Sequence, residues 1–135
     1  MNSNKILIGG LIGGVVFFLL GWLIYGIIFK EAMASPIPGF MKPESEFIWP
    51  AMILSNLIWG YLFAYIFGKW GSISTAMGGA IAGATIGGMI SLSYNLGFYA
   101  MSNMFTLNTM LMDVVIATIM SAIVGAVIGW WLGRP

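Results

Sequence analysis

The chain has no cysteine and no histidine, and its 135 residues include only five Lys and Arg and four Asp and Glu. Without cysteine there are no disulfides, no thiolate ligands and no thiol nucleophile. Without histidine the commonest general base and the commonest transition-metal ligand are gone. The four acids are dispersed, so neither a nucleophile–base pair nor a catalytic carboxylate pair can be assembled from neighbouring positions. The sequence therefore predicts no enzyme, no cofactor and no metal site. Basic runs are missing as well, which excludes a nucleic-acid surface and a strong anionic-lipid patch. Its glycine runs neither follow a strand nor precede a Lys-Ser/Thr pair, so they are not nucleotide loops.

What is present is apolar. At 60% hydrophobic and 7% charged residues, with a mean hydropathy of +0.99, too little polar surface remains to cover a water-soluble globule. The composition is that of an integral membrane protein. Ile6 to Phe29 is an uncharged run of about 36 Å as helix, enough for a hydrocarbon core of roughly 30 Å. Glu46 and Lys69 bracket a second run. Trp70 to Met112 would be roughly 65 Å long as one helix, so it must hold a span and a turn. Asp113 and Arg134 bracket the last run. We expect an all-α membrane protein, a single domain over residues 1–135, with spans at about 6–29, 47–68, 74–96 and 112–133 in a four-helix transmembrane bundle. The Ala32-Met33-Ala34 pattern before Ser35 imitates a signal-peptidase site, but the apolar stretch before it is too long for an h-region, and we expect no cleavage there.

Charge sets an expected orientation. With both termini and the 2–3 turn on one side, that side carries Lys5, Lys69 and Arg134 and no acid. The other carries Lys30, Lys42, Glu31, Glu44, Glu46 and Asp113. The excess of basic residues predicts a multi-pass cell-membrane protein with cytoplasmic N- and C-termini, and Trp70, Trp130 and Trp131 would then sit at the inner interface and Trp49 at the outer one.

The halves resemble each other. An offset of 69 lays Gly10 on Gly79, Gly14 on Gly83 and Tyr25 on Tyr94, and an offset of 65 lays Gly60 on Gly125 and Lys69 on Arg134. This predicts a 2+2 repeat of one helical hairpin in the same orientation. Every span also carries small residues at steps of four. Span 1 has Gly9 and Gly13 with Gly10 and Gly14 alongside, and span 2 has Asn56, Gly60, Ala64 and Gly68. Span 3 runs Thr75, Gly79, Gly83, Gly87, Ser91, Asn95, and span 4 runs Asp113, Ala117, Ser121, Gly125, Gly129, Gly133. Such positions form one ridge of a helix and let backbones approach closely in lipid. Each glycine costs up to about 1 kcal/mol of helix propensity against Ala, so close contact must compensate. Gly10, Gly14, Gly60, Gly79, Gly83, Gly87, Gly125 and Gly129 are the expected packing positions, and span 3, with a second small ridge at Ala76, Ala80, Ala84 and Gly88, is the expected centre of the bundle.

The ridges of spans 3 and 4 end in polar residues. If they meet antiparallel, Asn95 falls near Asp113, and Ser91, Tyr94, Asn95 and Asp113 form the candidate polar site. An Asp costs about 2.5–3.5 kcal/mol at a span centre, less in the first turn of a helix, where it serves as a cap. The structural expectation is that Asp113 caps span 4 while Asn95 and the serines bond to neighbouring helices, each bond contributing about 0.6 kcal/mol. The rival is an outward polar vestibule of Tyr94, Asn95, Asn103, Asn108 and Asp113, open to a cation or small polar solute. No charge stands at mid-span, and the first span lacks the deep carboxylate of a proton-coupled exchanger of the small multidrug type. Met101, Met104, Met110 and Met112 are read as apolar filler rather than a Cu(I) site. Pro36, Pro38 and Pro43 stiffen the first loop, and Pro50 suits the first turn of span 2.

The stretches "GWLIYGIIFKEAM", "IFGKW" and "GAVIGWWLG", with the Gly/Ala ladder of span 3, resemble an uncharacterised family of small four-span bacterial inner-membrane proteins. The resemblance implies that topology and no activity. The expected role is structural or accessory: a tightly packed bundle, in contact with the lipid bilayer, that self-associates as a homo-oligomer or joins a larger membrane-protein complex. The alternative is a small channel or uniporter for an uncharged or weakly cationic solute.

Overall fold

The computed structural model describes residues 3–28, 44–102 and 106–135. The loop prolines Pro36, Pro38 and Pro43, the Ala32–Ala34 pattern, the charges Lys30, Glu31 and Lys42, and Asn103 and Met104 lie outside the described residues.

Without water to satisfy them, the backbone polar groups of an apolar chain must bond to one another, and helix does this within each segment. Four helices result among the described residues: α1 (Ser3–Leu23), continued by a π-helical turn over Ile24–Ile28; α2 (Trp49–Tyr65), continued by a second π-helical turn over Ile66–Trp70; α3 (Ala76–Met101); and α4 (Leu107–Leu132). All four are long and apolar enough to cross a membrane. Pro50 stands in the first turn of α2, where its missing N–H would have no partner anyway. Thr75 caps α3 by accepting from Gly78 N at 2.9 Å, and Thr106 caps α4 by accepting from Thr109 N at 3.3 Å.

The α3 and α4 ends differ from the sequence expectation. Helix α3 runs on to Met101 rather than about residue 96, and α4 starts at Leu107 rather than about 112. The cap of α4 is Thr106, so Asp113 is not a cap. It lies two turns inside the helix, roughly 9 Å from its start. Polar side chains in an apolar run suggest helix ends, whereas here they bond to each other inside the bundle and the helices continue past them.

Trp131 Nε1 donates to Lys5 O at 3.0 Å, and Gly133 abuts Ser74 O in the 2–3 turn, where Ser72 takes a left-handed φ of 50°. Both described chain ends and that turn thus share one end of the bundle, termed proximal; Tyr25, Trp49 and Asp113 mark the distal end. The tightest helix pairs are α1 with α2 and α3 with α4. The centre is α4, not α3: α4 packs on all three other helices and buries ten residues, whereas α3 buries only the stripe Gly79, Gly83, Gly87, Ser91 and Asn95. Small residues make a helix able to approach one neighbour closely; they do not give it the bulk to fill a core. That bulk comes from Ile6, Phe63, Phe67, Val124, Ile128 and Leu132, which form the apolar core, with Phe17 meeting Phe63 edge to face at 5.5 Å.

The eight expected packing glycines are all buried. A Cβ on Gly79 would fall on Gly125 O, one on Gly83 on Ser121 O, and one on Gly87 on the Ser121 side chain. In the first hairpin, a Cβ on Gly60 would fall on Gly10 O and Gly14 N, and those on Gly10 and Gly14 would come within 2.7 Å of Tyr61 Cα and Leu57 Cα. Gly9 and Gly13, on the adjoining ridge of α1, face Trp131 and Ile128 of α4. The distal end is looser. Gly21 has only Met120 Cε, at 3.9 Å, Gly97 has nothing within 4 Å, and Ile24–Ile28 contributes no buried residue.

Candidate functional site

The distal cluster grows out of the α3–α4 zipper. Gly83 and Gly125 face each other, Gly87 faces Ser121, and two steps of four further on α3 and α4 the same register brings Asn95 to Asp113. Asn95 Nδ2 donates to Asp113 Oδ2 at 2.7 Å, to Ser91 O at 2.8 Å and to Ser91 Oγ at 3.1 Å. Ser91 and Asn95 are each 2% exposed and Asp113 is 8% exposed. Three of the four candidate residues are therefore brought together and buried. The fourth, Tyr94, is 45% exposed and stands on the rim.

Tyr25 completes the cluster and was missed by sequence reasoning. Its hydroxyl donates to Asp113 Oδ1 at 2.8 Å from the π-helical turn that ends the first span. Tyr25 reaches Asp113 at a level where the nearby glycines are open, Gly21 having only Met120 Cε at 3.9 Å and Gly26 only Trp22 Cδ1 at 3.6 Å. The one signal in the sequence is that Tyr25 overlays Tyr94 at the offset of 69. Of the other vestibule residues, Asn108 is exposed and lies about 7.5 Å further along α4 toward its start, and Asn103 is outside the described residues.

The chemistry of the cluster is one carboxyl among neutral groups. The described basic residues Lys5, Lys69 and Arg134 all belong to the proximal end, so none of them offsets Asp113. Both carboxyl oxygens receive a neutral donor, Tyr25 O–H on one and the Asn95 amide on the other. Among the described residues no group of three or more His, Cys, Asp or Glu is placed to hold a metal ion. Two apolar grooves lie on the sides of the bundle. One, of about 530 Å³, is lined by Ile24, Leu111, Met112, Val115, Ile116 and Ile119; the other, of about 240 Å³, runs along α1 and α2 beside Gly10 and Tyr61.

In comparisons with protein-family models, curated proteins and solved structures, nothing matches the chain. Its functional reading rests on the chain's own geometry.

Proposed function

We propose that this protein is a structural or accessory component of a membrane, a closed four-span bundle that self-associates or joins a larger membrane complex. The observation that supports this is the backbone contact along both hairpins: Gly60 seats on Gly10 and Gly14, and Gly79 and Gly83 seat on Gly125 and Ser121, with no room for one methyl group between them. Glycine ridges used this fully for internal contact leave little width for a solute to pass between paired helices. Reconstitution into vesicles tests it: no flux of sodium, potassium, glycerol or urea above that of empty vesicles is expected, while protein-dependent flux of any of them would sink the accessory reading.

The same contacts support reading the two hairpins as copies. Gly60 meets Gly10 O and Gly14, and at the repeat-related positions Gly125 meets Gly79 O and Gly83. The copies diverge distally, where Ser91, Asn95 and Asp113 stand at positions equivalent to Trp22, Gly26 and Ile48. Cytoplasmic termini follow from Lys5, Lys69 and Arg134 at the proximal end, and placement in a bacterial inner membrane follows from the resemblance alone.

A second reading, a small channel or uniporter for an uncharged or weakly cationic solute, draws support from Asp113, a buried ionisable side chain inside a span and without a basic partner among the described residues. Asn95→Leu combined with Asp113→Asn separates the two. Loosened packing without any flux phenotype supports the accessory role, and intact folding with lost flux supports the channel.

A further inference from the structure

From the oxygens that converge on the Asn95 amide, we infer that Asp113, Asn95 and Ser91 form a binding site for one monovalent hard cation of sodium size. Asn95 Nδ2 has two hydrogens and three oxygen neighbours, Asp113 Oδ2 at 2.7 Å, Ser91 O at 2.8 Å and Ser91 Oγ at 3.1 Å. The amide NH2 group, whose hydrogens carry partial positive charge, thus sits among three oxygens. Rotating the amide by half a turn replaces Nδ2 with Oδ1 and gathers four oxygens from a carboxylate, an amide, a hydroxyl and a backbone carbonyl. That is the donor set hard cations take. Ligands at about 2.3–2.6 Å from one ion and at right angles to each other are about 3.3–3.7 Å apart, so the observed spacings need to widen by only several tenths of an ångström. The rotation keeps every heavy atom of Asn95 in place, because amide nitrogen and oxygen are nearly the same size.

Charge selects a monovalent ion. The three residues named contribute one carboxylate, that of Asp113. One positive charge neutralises it, whereas a divalent ion would leave a net charge buried about two turns from the helix end, which is costly in a medium of low dielectric. Tyr25 fits the same picture from the other side. Its hydroxyl holds Oδ1, so Oδ2 is the oxygen turned toward Asn95 and Ser91. The inference needs no passage across the bundle and is independent of whether the protein is accessory or a channel.

The test is the stability of the full-length protein in mild detergent, in sodium chloride against N-methylglucamine chloride at equal ionic strength and fixed pH. Wild type should show an unfolding midpoint that rises saturably with sodium and not with the bulky cation. Asp113→Asn should abolish the dependence, and Ser91→Ala, which keeps the carboxylate, should raise the sodium concentration needed by about tenfold, the equivalent of one lost ligand of about 1.4 kcal/mol. If Asp113→Asn does not fold, the wild-type and Ser91→Ala titrations decide the matter. Three results would overturn the site: no difference between the two salts in wild type, the same sodium dependence in Asp113→Asn, or a midpoint that follows pH and ignores the salt, which would mean that a proton fills the position.

Discussion

The glycine zipper makes a quantitative prediction at Gly79. Its absent Cβ would land on the backbone oxygen of Gly125, and the next nearest atoms are Gly125 C and Gly129 Cα. All three are backbone, so no side chain can swing away and the helices themselves must part. To bring a methyl carbon to an ordinary carbon–oxygen separation of about 3.3–3.6 Å requires roughly 1.5 Å of movement. Overpacking of this kind costs about 1–3 kcal/mol, here near the upper figure, while the change from Gly to Ala returns up to about 1 kcal/mol of helix propensity. Gly79→Ala should therefore lose about 2 kcal/mol, a factor of about 30 in the folded ratio. Gly97→Ala is the matched control on the same helix, because nothing lies within 4 Å of that missing Cβ; it should be neutral or slightly stabilising. Reversible unfolding in mixed micelles, followed by far-UV circular dichroism, measures both. The contacts of Gly79 and Gly125 are mutual, so Gly79→Ala with Gly125→Ala should cost less than the two singles together, since the first methyl already opens the gap that the second needs. Equal tolerance at Gly79 and Gly97 would refute the claim that these helices meet backbone to backbone.

Tyr25→Phe deletes the hydroxyl that reaches Asp113 and should cost about 0.5–2 kcal/mol in the same unfolding assay. Combined with Asp113→Asn it should cost clearly less than the two changes added, and strict additivity would mean that the bond is not formed. Asn95→Leu alone leaves the buried carboxylate short of a donor and should cost about 1–3 kcal/mol, whereas Asn95→Leu with Asp113→Leu should recover at least half of the loss, because an apolar pair leaves nothing unpaired. Alkaline phosphatase fused after Arg134 should be inactive; an active fusion would reverse the expected orientation.

The helices and their closest contacts were legible because lipid leaves few solutions. Uncharged length gave four spans, and steps of four in small residues gave the faces that meet, down to Asn95 beside Asp113. Two features were not legible, for physical reasons. The centre of the bundle depends on which helix supplies volume to several neighbours, and α4 does so with Ile116, Met120, Val124 and Ile128, residues indistinguishable in composition from those that face lipid elsewhere. Helix ends were misplaced because a polar residue in an apolar run reads as an interface, although two polar residues that satisfy each other can lie two turns inside. Tyr25 escaped for a third reason: it lies in a π-helical turn, which has no reliable signature in a single sequence.

The zipper and the polar cluster are one construction rather than two. The ridge that places Gly79 against Gly125 and Gly87 against Ser121 continues without a change of step into Asn95 and Asp113, so the bond of 2.7 Å is set by how closely the glycines let the helices approach. Widening the proximal zipper by roughly 1.5 Å would carry that bond past hydrogen-bonding range unless the helices pivot. Gly79→Ala should accordingly weaken any sodium dependence of stability although it lies about 24 Å along α3 from Asn95. A Gly79→Ala protein with unchanged sodium response would mean that the cluster holds its own geometry and that the zipper serves stability alone.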